Sequence, residues 1–302
     1  MTQALDAPGV ALGSGPLIAL RRVALATQNA PVLAALPGGF STRRKGQGLE
    51  VADMRDYVAG DDIRHLDRGT TARTGRLHIR QFQEERDRVS LLVADFRPSM
   101  FWGLRRAFRS VAGAEALALI GWHIVESGGR VALLALTPNA PVVVPPRGRT
   151  RGMLDVIGGL VQAHGAGLAD IMAGGADRDA PLDQALSRAD RLVPSGAEIV
   201  IASGFDTEGA GLRDRLDALA RRRTPRLVLI TDAEAAQMPR GRYPIRTSDG
   251  RHIRVYLDGS GTLDATLHRT VAGRPALILN ASDSVEDTAR RISVAYPMGI
   301  AA

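Results

Sequence analysis

The apolar positions of this chain change their rhythm near residue 88. Before it, apolar residues recur at helical spacing from Leu17 to Leu36, interrupted by Pro31 and stopped by Pro37-Gly38-Gly39. Leu77, Ile79 and Phe82 then lie among polar neighbours, which predicts a partly exposed strand running into Glu84-Glu85-Arg86. After it, Val89 to Ala94 is a continuous apolar run ending at Asp95, the pattern of a strand buried on both faces. An amphipathic helix is predicted over Leu104 to Glu126, ended by Gly128-Gly129, and a second strand over Val131 to Leu136. Pro141 to Val144 reads as a short edge strand. Helices are expected near Met153 to Ala163 and Leu182 to Leu192, with Pro181 at a favourable first position. The alternation continues with strand Glu198 to Ala202, helix Glu208 to Arg223, strand Arg226 to Thr231, strand Ala276 to Asn280 and a helix from Ser284 to Val294. Asp283 and Glu286 there have the spacing of a capping box. Strands separated by helices imply right-handed crossovers, and so an α/β fold with a doubly wound, mainly parallel sheet of Rossmann-like type. The expected organisation is a mobile N-terminus over 1–16, an accessory helix/strand segment over 17–87 and the main domain over 88–296.

Composition adds restrictions. Of 302 residues, 45% are hydrophobic and 24% charged, enough for a sizeable core, while aromatics at 4% leave that core to aliphatic side chains. The net charge is +7, and with Lys45 the only lysine nearly all of the basicity is arginine. Guanidinium forks suit phosphate, so a binder of nucleic acid or of an anionic surface is the alternative reading. The arginines are spread along the chain and few aromatics are present to stack on bases, which disfavours nucleic acid. The absence of cysteine excludes disulfides, thiolate metal sites and cysteine nucleophiles. No apolar stretch is long enough to span a bilayer, and the N-terminus lacks a signal-peptide pattern, so the cytoplasm is the expected compartment. The six histidines (His65, His78, His123, His164, His252 and His268) show no metal-ligand spacing. Ser203 lacks a nucleophile-elbow context, and the residues around Lys45 do not form a P-loop. No nucleophile–base pair can be named, and a non-enzymatic protein is expected.

The densest run of charge is Arg55-Asp56-Tyr57-Val58-Ala59-Gly60-Asp61-Asp62-Ile63-Arg64-His65-Leu66-Asp67, followed by Ala72-Arg73-Thr74-Gly75-Arg76-Leu77. Gly60 permits a tight turn, and the acids and arginines can pair locally or serve a binding role. A metal site built from Asp61, Asp62 and Asp67 is disfavoured by the arginines between them. This run resembles the signature of the bacterial family called domain of unknown function fifty-eight, approximately R-E-Y-x-x-G-D-D-x-R-x-I-D-W, then A-R-x-G-x-L, then a strand ending in D-x-S-x-S. Arg55, Tyr57, Gly60, Asp61, Asp62, Arg64, Asp67, Ala72, Arg73, Gly75 and Leu77 fall on matching positions, and Arg68 stands where that family has tryptophan. Downstream, Asp232-Ala233-Glu234 and Met238-Pro239-Arg240-Gly241 are similar to its D-P-x-E and L-P-x-x-G segments. The similarity runs from about residue 17 to 294.

The resemblance implies a von Willebrand factor A-like domain with the charged signature as an accessory structure. It also implies partnership with a MoxR-type AAA+ ATPase in remodelling or maturing an unknown client, and peripheral membrane association only through partners. In metal-binding von Willebrand A domains, D-x-S-x-S after the first strand, a threonine from a second loop and an aspartate from a third hold Mg²⁺ with hard oxygen ligands. Here the first loop reads Asp95-Phe96-Arg97-Pro98-Ser99, so Arg97 stands where the first serine belongs. The third loop reads Ser203-Gly204-Phe205-Asp206, with Gly204 in place of aspartate and Asp206 nearby. The second loop aligns loosely with Asp179-Ala180. Asp95 and Ser99 are the ligands retained, and Mg²⁺ is disfavoured because Arg97 sets a permanent cation beside its position. Two alternatives follow: Arg97 takes the metal's place, pairing with Asp95 and with Asp206, or it points to solvent. On the first, Asp95, Arg97, Ser99, Ser203 and Asp206 form a partner-binding edge, with Arg97 meeting a partner carboxylate.

Overall fold

In the computed structural model, the structure describes residues 7–28, 51–58, 62–63, 66–82, 88–175, 179–232, 239–246, 251–257 and 268–295. The chain divides into two compact units, 38–87 and the remainder.

The larger unit is built on a seven-stranded sheet. Its first strand is β3 (Val89–Asp95), buried along its whole length. Two strands precede it in the chain, β1 (Val51–Asp56) and β2 (His78–Phe82), and these belong to the smaller unit. After β3 come β4 (Arg130–Leu136), β5 (Val142–Gly148), β6 (Glu198–Ser203) and β7 (Thr224–Thr231). A separate hairpin, β8 (Gly241–Arg246) with β9 (His252–Leu257), is followed by β10 (His268–Val271) and β11 (Arg274–Asn280). The sheet order is β10-β11-β7-β6-β3-β4-β5. The five inner strands are parallel, and β5 and β10 close the edges antiparallel. The chain leaves β3 for β4 on one side and later returns to β6 on the other. The order therefore reverses between β3 and β6, a topological switch point.

Period-two alternation sends Leu92 and Ala94 into one apolar layer and Leu91 and Val93 into the opposite one. The first layer is covered by α1 (Ser14–Gln28), α3 (Arg109–Glu126), α4 (Arg149–Met172) and α8 (Val285–Ala295), through side chains such as Leu17, Leu117, Leu160 and Ile292. The second is covered by the short turns α5 (Leu182–Ala185) and α6 (Ala189–Leu192) and by α7 (Leu212–Ala220), through Leu182, Ala189 and Leu216. The remaining helix, α2 (Arg68–Thr74), lies in the smaller unit, where β1 and β2 pair antiparallel. The mixed α/β fold with a mostly parallel sheet is the one expected from the strand pattern.

Several elements differ from the sequence reading. The helix of residues 14–28 belongs to the larger unit and not to an accessory segment, because Leu17, Leu20 and Ala24 are buried in its core and the Leu17 carbonyl accepts from Trp122 Nε1 at 3.0 Å. Residues 7–13, read as part of a mobile terminus, turn tightly instead. The Gly9 carbonyl accepts from Phe108 N at 2.7 Å, and a Cβ at Gly9 would meet Arg106 O at 2.0 Å. The third helix begins at Arg109, because residues 101–108 form a tethered loop. The expected helix 182–192 is two short turns joined by a 3-10 turn over Leu186–Arg188. At the last helix the cap is made by Ser284 and Asp287, whose N–H donates to Ser284 Oγ at 3.1 Å; Asp283 pairs instead with Arg291. Strands β8, β9 and β10 were not anticipated. No described helix is long and apolar enough to cross a membrane.

Candidate functional site

The carboxyl ends of β3 and β6 meet at the switch point, and the chemistry gathers there. Asp95 ends β3 with its side chain 1% exposed, and the Arg97 side chain folds back onto it at 2%. Arg97 Nε donates to Asp95 Oδ1 at 2.8 Å and Nη2 donates to Oδ2 at 2.7 Å, a two-pronged contact suited to a planar guanidinium and a planar carboxylate. Nη1 donates to the carbonyls of Ala180, at 2.5 Å, and Thr207, at 3.2 Å. One side chain thus ties together the loops after β3, before α5 and after β6. Ser203 Oγ donates to Asp95 Oδ2 at 2.6 Å and accepts from Phe205 N at 2.9 Å. Asp179 Oδ1 accepts from Ser99 N at 3.0 Å.

Burial alone would raise the Asp95 carboxyl, but the charge and hydrogen bonds of Arg97 and the Ser203 hydroxyl hold it below the ordinary range. Burial likewise opposes the Arg97 cation, yet Asp95 first, then Asp179 and Asp206, keep it more firmly protonated than a free arginine. Asp179 moves the other way, raised by burial against the hydrogen bonds from Ser99.

Of the two fates open to Arg97, pairing with Asp95 is the one found. Two parts of the expectation need correcting. Asp206 does not reach Arg97: it pairs with Arg109, whose Nη2 donates to Oδ2 at 2.7 Å. Arg97 is also not available to a partner carboxylate, because it is 1% exposed and already engaged with Asp95 and two carbonyls. Ser99 contributes its backbone N–H to Asp179.

Arg109 is the residue that the sequence did not reveal. It starts α3, is 5% exposed, donates through Nε to the Ile230 carbonyl at 3.1 Å and lies 5.4 Å from the Trp102 ring centroid. Its guanidinium explains Gly204: a Cβ at that position would lie 1.3 Å from Arg109 Nη2. The glycine is a requirement of the Arg109–Asp206 pair, not only a lost aspartate. Gly204→Ala is expected to lower stability by about 1–3 kcal/mol through overpacking. Adding Arg109→Ala should recover part of that loss in equilibrium denaturation, whereas simple additivity would show that the two positions do not meet.

Beside Arg109, the loop between β3 and α3 exposes two large apolar side chains. Trp102 is 37% and Leu104 43% exposed on the loop between β3 and α3. The loop is held at several points: Leu104 N donates to Asp232 Oδ2 at 2.8 Å, Arg109 N to the Trp102 carbonyl at 2.8 Å, and Phe108 N to Gly9.

The residues at this edge do not fit a divalent ion as they stand. The guanidinium of Arg97 lies where an ion would draw on Asp95 and the loop oxygens, and both Asp95 oxygens are already bonded. Among the described residues, no group of three or more histidine or acidic side chains is placed to hold a metal.

The charged signature lies in the smaller unit. Asp67 caps α2, its Oδ1 accepting from Thr70 N at 2.7 Å; Asp56 lies 3.4 Å from His78 Nδ1; Tyr57 N donates to the Leu77 carbonyl at 2.8 Å. Asp62 and Arg73 are exposed, and Arg55 lies in β1. Gly60, Asp61 and Arg64 lie outside the described residues.

The model of a family described as protein of unknown function DUF58 matches residues 53–254, more than half of the chain. Uncharacterized protein Rv1480 of Mycobacterium tuberculosis (strain ATCC 25618 / H37Rv) and uncharacterized protein Mb1516 of Mycobacterium bovis are each 32% identical to this chain over 102 residues. That match covers 34% of this chain and 32% of each relative, so the chain spans about a third of the length of the curated relatives it matches.

Proposed function

The chain belongs to the DUF58 family, and on that premise we propose that it is a von Willebrand A-like adaptor, not an enzyme, working with a MoxR-type AAA+ ATPase on a client protein. The observation that carries this reading is the contrast at the switch-point edge. Asp95, Arg97, Ser203 and Arg109 are locked into buried contacts, while Trp102 and Leu104 face solvent on a tethered loop. Ligands of open α/β sheets approach this edge. An exposed tryptophan on a preorganised loop is the kind of anchor on which partner affinity concentrates. Two further contacts favour binding over catalysis. Ser203 Oγ gives its proton to a carboxylate that is itself saturated by arginine, and the Ser110–His164 pair, 3.1 Å apart, is 0% and 1% exposed.

We assign the proposed contact to Trp102 and Leu104 and not to Arg97, whose guanidinium is buried and already engaged. In a pull-down from the native cell, the wild-type chain is expected to recover an AAA+ ATPase, and Trp102→Ala with Leu104→Ala to lose at least tenfold of it, about 1.4 kcal/mol of affinity. Recovery of no AAA+ ATPase by the wild type would defeat the adaptor reading. The alternative, binding of an anionic surface through the +7 charge, draws less support. Many described arginines already face carboxylates, among them Arg106 with Glu115, Arg226 with Glu198 and Arg274 with Asp217. Capture that collapses between low and moderate salt would favour that alternative.

A further inference from the structure

We propose that the ring of oxygens around Arg97 is a cation cage filled by the chain's own guanidinium, and that removing this side chain turns it into a divalent-metal site. The inference goes beyond the adaptor reading and does not depend on it. The cage is made by three loops. Asp95 contributes both carboxylate oxygens, and Ala180 and Thr207 contribute backbone carbonyls; every contact of the guanidinium is to oxygen. Ser203 Oγ bonds Asp95, and the residues of the same loops carry two further buried oxygens with no hydrogen-bond partner, Asp179 Oδ2 and Thr207 Oγ1. Hard, uncharged carbonyls and hydroxyls with few carboxylates are the donor set that Mg²⁺, Mn²⁺ and Ca²⁺ accept, with water completing the shell.

Charge decides what the cage holds. Asp206 is answered by Arg109, which leaves Asp95 and Asp179 facing a single Arg97. With the arginine present, a divalent ion would share a desolvated space with a fixed cation, and repulsion excludes it. Without it, two carboxylates remain with nothing to balance them, and their joint charge matches a divalent ion. A serine at 97 would leave the room of a guanidinium and its stem for the ion and its waters. The three loops would then close on metal, where the native chain closes them with no dependence on divalent concentration.

The test compares wild type, Arg97→Ser and Arg97→Ser with Asp95→Asn, each purified in EDTA, by thermal unfolding and by Mn²⁺ titration followed by electron paramagnetic resonance. The midpoint of the wild type should not respond to millimolar Mg²⁺, Mn²⁺ or Ca²⁺ beyond a NaCl control of equal ionic strength. Arg97→Ser should unfold at lower temperature in EDTA, recover several degrees with a divalent ion and bind about one Mn²⁺ per chain at micromolar affinity. The response should vanish with Asp95→Asn. A micromolar, Asp95-dependent Mn²⁺ site in the wild type would overturn the proposal. So would an Arg97→Ser chain that is folded but indifferent to divalent ions, or one that stays unfolded in their presence. Each of these failures leaves the pull-down result, and the adaptor reading it tests, untouched.

Discussion

Arg97→Ala, measured in EDTA at neutral pH, is expected to lower the free energy of unfolding by about 3–5 kcal/mol. The size of this loss comes from what is left behind more than from what the pair itself contributes. Asp95 would stay buried as a carboxylate with the Ser203 hydroxyl and the backbone N–H of residue 97 as its remaining donors, and the carbonyls of Ala180 and Thr207 would each lose one. A buried ion pair against a well-packed apolar replacement is often close to neutral, so removing both charges should be milder than removing one. Asp95→Asn combined with Arg97→Met is therefore expected to cost less than Arg97→Ala alone. Arg97→Lys should recover only a fraction, since an ammonium cannot grip both carboxylate oxygens and still reach two carbonyls from separate loops. Guanidinium denaturation of the wild type and the three variants checks the order. A loss below about 1 kcal/mol for Arg97→Ala, the range of an exposed pair, would mean that the pair is not buried in the folded protein.

The same pair marks how far the sequence could be read. Val89 to Ala94 was legible as a strand because a parallel strand covered on both faces needs an unbroken apolar run. The Asp95–Arg97 contact was legible because its members are two residues apart at that strand's end, where short-range geometry leaves few choices. Arg109 was not, since it meets Asp206 across 97 positions and only the folded crossover from β3 through α3 to β6 joins them. For the same reason Gly204 could be seen as a missing aspartate but not as the space an arginine occupies. Leu104 was read into a helix that starts later, because the apolar count of residues 104–108 resembles a helical face while the backbone bonds of Leu104 and Phe108 go to Asp232 and Gly9. The hairpin β8–β9 had a usable signal, the alternation Tyr243-Pro244-Ile245 and Ile253-Arg254-Val255, but its proline and its many arginines obscured it.

A second large effect should appear on acidification, at a residue neither the family resemblance nor the candidate edge singled out. His164 on α4 is 1% exposed, with Nε2 3.1 Å from Ser110 Oγ and its ring against Phe96 at 5.4 Å and Phe101 at 5.0 Å between centroids. Burial pushes its pKa down from 6.5 to about 4. Between those two values the unfolded chain binds a proton that the folded chain refuses, so the unfolding free energy falls as pH falls. At about 1.36 kcal/mol per pH unit, the loss approaches 3 kcal/mol by pH 4 and is absent above pH 7. His123 is also depressed by burial, and carboxylates titrate at the acid end of the window, so the informative quantity is a difference between chains. Wild type minus His164→Gln, followed by denaturation from pH 7.5 to 4.5, should slope downward toward acid, the variant losing less stability than the wild type. Parallel curves would show that His164 takes its proton without resistance and does not sit in this aromatic pocket. Because Phe96 separates Asp95 from Arg97 in the chain and Phe101 precedes Trp102, protonation of His164 in the folded state presses on the loop that carries the buried pair and the exposed Trp102. Trp102 fluorescence should therefore change in the wild type before global unfolding at low pH, and His164→Gln should remove that early change.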